Sequence, residues 1–258
     1  MMMDGRQGSG NNLLTGNFGG NDCNIPLLTV DEWKDIGKPV YDNYTVRSYE
    51  NPIQGCVNDC YFIAALVSVA WAANSKLNTH PNYRFYNVNN HAWDPAFSMT
   101  SLTLAVDNVA GAPNLVYARS GSGYIWPCLY EKAYAKWKDG AHSDNPDIKA
   151  LLGGGGSGLH ALLEICGGSW DNGRKTFTNL TTNPGVIPLV PGSTKTQYPT
   201  IAKTRDVSGL PGGLIRNHTY SVLRKLPDKY ELRNPCGGAF VYVPKIDATN
   251  FDEWGYIK

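Results

Sequence analysis

Apolar positions are spread unevenly along this chain. The densest run, Tyr61-Phe62-Ile63-Ala64-Ala65-Leu66-Val67-Ser68-Val69-Ala70-Trp71-Ala72-Ala73, is Ala-rich and apolar on almost every side, as a helix buried all round should be. Ser68 interrupts it, and the run is too short to cross a bilayer, which takes about 20 apolar residues. Asn58 or Asp59 suits the N-cap, which puts Cys60 in the first helical turn. A second helix is predicted from Trp126 to Lys138, where Leu129, Ala133 and Trp137 share one face. A third runs from Leu159 to Ile165, and a short helical pattern from Asp31 to Lys38 starts at an acidic cap.

Beyond Trp170 the pattern changes. Pro, Thr and Gly become frequent, and apolar and polar residues alternate with the period of a strand. Thr219 to Arg224 and Lys229 to Arg233 are predicted as two antiparallel strands turning at Leu226-Pro227-Asp228. Between the halves lies Gly153-Gly154-Gly155-Gly156-Ser157-Gly158, which is a hinge. It lacks the Lys-Ser/Thr ending of a phosphate-binding loop. The expected organisation is a flexible tail over 1–22, a helical part over 23–152 and a β-rich part over 153–258, an α+β class.

Composition narrows the functional classes. Of 258 residues, 42% are hydrophobic and 17% charged, a folded chain and not a disordered one. The 23 Lys and Arg against 22 Asp and Glu leave a net charge of +1, so no basic face for nucleic acid is expected. No membrane span is expected either. The leader has no apolar signal core, which makes the cytoplasm the expected compartment, or secretion if a signal peptide was trimmed. Six cysteines, at 23, 56, 60, 128, 166 and 236, are too few and scattered for a disulfide scaffold, and they lack the paired spacing of a zinc site. Oligomeric state is not legible.

The chemistry gathers around Cys60. A cysteine attacks carbonyls as the thiolate, and a helix N-terminus beside an imidazolium favours that form. Gln54, six residues upstream, offers a side-chain amide that could join the Cys60 backbone N–H in binding an oxyanion. His218 starts a predicted strand and Asn234 ends the next, so a hairpin sets them side by side: a base and the amide that orients it. Cys, His and Asn in this order form the thiol-protease arrangement. The other histidines, His80, His91, His142 and His160, read as surface residues. Cys128 and Cys166 read as core and Cys56 as structural.

Five segments then resemble a known family, in order. Gln54-Gly55-Cys56-Val57-Asn58-Asp59-Cys60-Tyr61-Phe62-Ile63-Ala64-Ala65 resembles the active-site segment of calpain-family cysteine peptidases. Trp126 to Lys136 is similar to their W-x-x-L-x-E-K-A-Y-A-K helix, and Leu152-Gly153-Gly154 to their L-x-G-G hinge. His218-Thr219-Tyr220-Ser221-Val222 and Leu232-Arg233-Asn234-Pro235-Cys236-Gly237 correspond to H-A-Y-S-V and I-R-N-P-W-G. The resemblance implies a papain-like fold of two subdomains with the site in the cleft between them. It implies hydrolysis of a protein or peptide substrate through a thiol acyl-enzyme, with Gln54 in the oxyanion hole and Gly153, Gly154 and Asn217 along the substrate groove. No cofactor is required; family cores bind calcium in acidic loops, but no calcium ligands are mapped here.

Four positions depart from the pattern: Asn58 and Asn217 replace glycines, and Tyr61 and Cys236 replace tryptophans. The second tryptophan shields the His–Asn pair in relatives. Its loss is expected to leave His218–Asn234 wetter unless Tyr61 or Trp254 fills the gap. Three other readings share these residues: an acyltransferase of transglutaminase or peptide-ligating type, a glutamine deamidase, and a calpain-like binding module with weakened catalysis. A serine hydrolase is excluded by the lack of a G-x-S-x-G elbow.

Overall fold

The computed structural model of the protein describes residues 23, 28–38, 47–108, 114–120 and 124–258; the tail expected over 1–22 lies outside the described residues. The first elements are β1 (Glu32–Lys34), β2 (Pro52–Ile53) and α1 (Cys60–Ala72). Short strands follow: β3 (Asn82–Tyr83), β4 (Tyr86–Asn87), β5 (Ala92–Trp93), β6 (Phe97–Ser98), β7 (Leu104–Asp107), β8 (Asn114–Leu115) and β9 (Arg119–Ser120). Three helices come next, α2 (Trp126–Lys138), α3 (Ile148–Leu152) and α4 (Gly158–Cys166). The rest is strand: β10 (Trp170–Asp171), β11 (Thr176–Phe177), β12 (Leu180–Thr182), β13 (Thr200–Thr204), β14 (Thr219–Lys225), β15 (Tyr230–Arg233), β16 (Val241–Val243) and β17 (Phe251–Ile257).

Helix α1 is apolar all round because it is enclosed all round: every residue from Cys60 to Ala70 is buried. Its one polar interior residue is satisfied by backbone. Ser68 Oγ donates to Thr200 O and accepts from Thr200 N, both at 2.6 Å. Ser221 Oγ donates to Ala64 O at 2.6 Å, and Trp71 Nε1 donates to Leu223 O at 3.0 Å. Positions 64, 68 and 71 lie on one helix face, so this face is fastened to β13 and β14 by hydrogen bonds.

Those strands sit inside an antiparallel six-stranded sheet of order β12-β17-β13-β14-β15-β16. Alternation along β14 sorts its side chains. Tyr220 and Val222 enter a core with Ala202, Leu232, Phe251 and Trp254, while Ser221 faces α1. A larger core surrounds α1, α2 and α4, with Phe62 stacked on Tyr134 at a centroid distance of 4.0 Å. Helix α4 contributes Leu159, Leu162, Leu163 and Ile165 to this core.

The stretch from Asp31 is not helical. Asp31 N donates to Val106 O at 3.0 Å, and β1 pairs antiparallel with β7. The Asp31 carboxylate accepts from Asn108 N at 2.8 Å, so it caps the end of a neighbouring strand in place of a helix. A local propensity has yielded to a strand partner more than seventy positions away, which no local pattern reveals.

Candidate active site

Gln54 leads from β2 into the loop before α1. Its backbone N–H donates to Pro235 O at 2.8 Å, which ties the loop to the turn after β15. Gly55 follows because nothing larger fits: a Cβ there would lie 2.0 Å from Tyr117 O. Cys56 N donates to Val116 O at 2.8 Å, and Gln54 Nε2 closes the loop on Val57 O at 2.8 Å. Gln54 is fully buried. An amide nitrogen carries two protons, and the bond to Val57 O uses one of them.

Asp59 stands at the N-cap of α1, with its carbonyl accepting from Phe62 N and Ile63 N, but its side chain makes no cap. The carboxyl turns inward, buried, toward Glu131 of α2. Burial pushes Asp59 up to about 7, and burial together with Asp59 raises Glu131 well above the carboxylate range. Cys60 opens the helix, where the first N–H groups have no acceptor within the helix.

His218 begins β14 after a sharp backbone turn. Asn217 has φ 49°, the left-handed region that Asn tolerates better than most side chains do. Thr204 fixes the histidine backbone: its Oγ1 accepts from His218 N and its N–H donates to His218 O, each at 2.9 Å. The buried ring packs edge-on against Tyr220. His218 Nε2 lies 2.9 Å from Asn234 Oδ1, and the same oxygen accepts from Cys236 N at 2.9 Å.

That second bond settles the roles. A backbone N–H can only donate, so the atom it meets is the amide oxygen, and Nε2 must carry the proton given to it. The lone pair of the imidazole is then on Nδ1, which is buried.

Helix and strand run in the same direction: Ala64 meets Ser221 and Trp71 meets Leu223. One turn back from Ala64 is Cys60, and three residues back from Ser221 is His218. The nucleophile and base candidates therefore lie at the same end of this contact. Gly154, Gly155 and Gly156 are exposed beside them. A Cβ on Gly156 would lie 2.8 Å from the Tyr61 ring, and one on Gly155 3.9 Å from Asn58 Nδ2. Gly153 is the C-cap of α3, where a Cβ would strike Lys149 O at 2.4 Å.

The expected gap at Cys236 is closed in a way the sequence did not suggest. Cys236 forms a disulfide with Cys23 across 213 residues. Its Sγ lies 3.8 Å from His218 Nε2, and Cys23 Sγ lies 3.0 Å from Gln54 Oε1. A disulfide sulfur has no proton, so the latter is a close contact and not a hydrogen bond. Tyr61 lies instead against Gly156, and the Trp254 indole donates to Pro184 O. Cys56, Cys60, Cys128 and Cys166 are free thiols, all buried, and burial pushes Cys166 up to about 12.

Sequence reasoning missed Cys23, Thr204 and the Asp59–Glu131 pair. Only the last left a trace, an acidic residue directly before Cys60 and another in the middle of a core-packing helix. His91, expected on the surface, is exposed but stacks on Trp170 at 3.9 Å. Among the described residues no three His, Cys, Asp or Glu side chains gather as a metal site. Nor is any helix among them long and apolar enough to cross a membrane.

The calpain family cysteine protease pattern matches residues 38–242. A relative in Porphyromonas gingivalis described as a thiol protease is 27% identical over 218 residues, which cover 76% of this chain and 44% of the relative. The chain thus spans less than half the length of that relative. With the family pattern covering most of the chain, and helices and strands in the α+β arrangement it calls for, this chain belongs to the calpain family of cysteine proteases.

Proposed function

We propose that this chain is a cysteine endopeptidase of papain-like architecture, cutting protein or peptide substrates through an acyl-enzyme on Cys60. The observation that carries the reading is the His218–Asn234 pair at 2.9 Å, whose second hydrogen bond from Cys236 N leaves Nδ1 as the basic atom. In this reading the helical part and the sheet form two subdomains, and the substrate lies in the cleft between them beside Gly153, Gly154 and Asn217.

Nδ1 takes the Cys60 proton, and the sulfur attacks the scissile carbonyl carbon. The carbonyl oxygen becomes an oxyanion held by Cys60 N–H and the remaining Gln54 Nε2 proton. As the tetrahedral species collapses, the C–N bond breaks and the leaving amine collects the proton from His218. Water then loses a proton to Nδ1 and attacks the thioester, and a second collapse returns the proton to sulfur and frees the acid. Asn234 holds the ring through both halves. An amine in place of that water would give acyl transfer.

A thiol-directed peptidyl epoxide tests the proposal. It is expected to add one equivalent at Cys60, with loss of peptidase activity and no labelling of the Cys60→Ser variant. Labelling at Cys56 with Cys60 untouched would overturn it.

A further inference from the structure

We infer that the Cys23–Cys236 disulfide is a positioning element of this site, a cover that keeps water off the His218–Asn234 hydrogen bond. The inference rests on the reading of Cys60, His218 and Asn234 as the catalytic group.

Three contacts support it. Asn234 Oδ1 already accepts from His218 Nε2 and Cys236 N, so both its lone pairs are engaged. The remaining threat to the pair is a water competing for the Nε2 proton, and Cys236 Sγ lies 3.8 Å from that nitrogen. The other half of the bridge, Cys23 Sγ, abuts Gln54 Oε1 at 3.0 Å. Gln54 is joined in turn to Pro235 by its backbone. The bridge thus lies over both polar ends of the site, with no proton of its own to donate. A drier surrounding strengthens the hydrogen bond and the thiolate–imidazolium attraction that depends on a fixed ring.

A bond of this kind adds a redox dependence. A dithiol reductant delivers two electrons and two protons: the S–S bond breaks, Cys23 and Cys236 become thiols, and the dithiol closes to its own disulfide. Cys23 is then held near the site only by whatever else fixes its segment. Cystines persist in oxidising surroundings, so the cover is kept there and lost where thiols are held reduced.

The first test is peptide mapping of air-purified enzyme without reductant. The Cys23 and Cys236 peptides are expected as one cross-linked species, and recovery of both as thiols would overturn the proposal. The second compares kcat/KM and the pH profile of Cys60 alkylation in wild type, Cys23→Ser and Cys23→Ser/Cys236→Trp. Cys23→Ser is expected to lose up to about 100-fold in kcat/KM, the scale on which a misplaced catalytic group costs rate. Its alkylation midpoint should move to higher pH, and the tryptophan should restore most of both. A folded Cys23→Ser variant with wild-type rate and profile would sink the idea. Should that variant not fold, wild type with the bridge reduced and its thiols counted serves the same comparison. Failure of the catalytic reading would look different, since epoxide labelling would then miss Cys60.

Discussion

Asp59, the residue just ahead of Cys60, interacts with Glu131 inside the protein, carboxyl against carboxyl. Both are buried, at 0% and 1% exposure, and Glu131 Oε2 also accepts from Ala118 N at 2.9 Å. Two carboxylates that close cannot both be charged in such surroundings, so the pair retains a proton. It joins α2 to the loop that presents the cysteine.

This pair makes stability depend on pH. Unfolded, both groups lose their protons near pH 4; folded, Asp59 holds its proton to about 7 and Glu131 well above the ordinary range. The folded chain binds more protons in that window, so the contribution is complete below about pH 4 and falls as pH rises toward 7 and beyond. Urea denaturation of wild type and Asp59→Asn/Glu131→Gln at pH 5 and pH 8 is the check. Wild type is expected to lose stability relative to the variant at the higher pH, and an opposite trend would show that the pair is not proton-sharing.

Gln54→Ala is expected to lower kcat by about 10²–10³ with KM little changed, because the lost proton donor meets charge only in the transition state. Steady-state kinetics on one peptide substrate decide it. An effect confined to KM would move Gln54 out of the oxyanion site and into substrate binding.

At Asn217 the backbone, not the side chain, sets the requirement. With φ at 49°, Asn217→Gly should be tolerated or slightly stabilising, whereas Asn217→Val should cost about 1–2 kcal/mol. Denaturation midpoints of the two variants test this. Equal stability would mean that the turn relaxes without help from residue 217.

Cys60→Ser should abolish hydrolysis while leaving the melting temperature near that of wild type. Cys56→Ser, four residues earlier in the same loop, should keep most of the activity. The reverse pattern would reassign the nucleophile.

Much of the architecture around the site can be read from local pattern. Trp126–Lys138 is predicted and observed as a helix, because its apolar face and its polar residues both find buried partners. The hairpin of β14 and β15 is legible from the alternation at Thr219 to Arg233, with Leu226 N closing on Lys229 O. It sets His218 and Asn234 within reach, as their places at the strand ends suggest. What escapes is non-local. β1 exists through β7, and β17 lies between β12 and β13 in the sheet although it comes last in the chain. Cys23 sits in a Gly- and Asn-rich leader with no period to mark it, and only the folded chain brings it to Cys236. The Asp59 carboxyl was available as a cap by sequence, but a buried partner 72 positions on captured it.

The fastening of α1 to the sheet has a consequence for how this site can be controlled. Sliding the helix by one residue's rise, about 1.5 Å, would break the two bonds of Ser68 to Thr200, that of Ser221 to Ala64 and that of Trp71 to Leu223 together. Buried ends left unpaired cost about 1–3 kcal/mol each. The span from Cys60 to the start of β14 therefore behaves as a fixed gauge, set once when the chain folds. Regulation that parts and rejoins Cys60 and His218 by swinging one half of the molecule would have to break that gauge on every cycle. Control at lower cost lies at the rim, in what is allowed to approach that end of the helix–sheet contact.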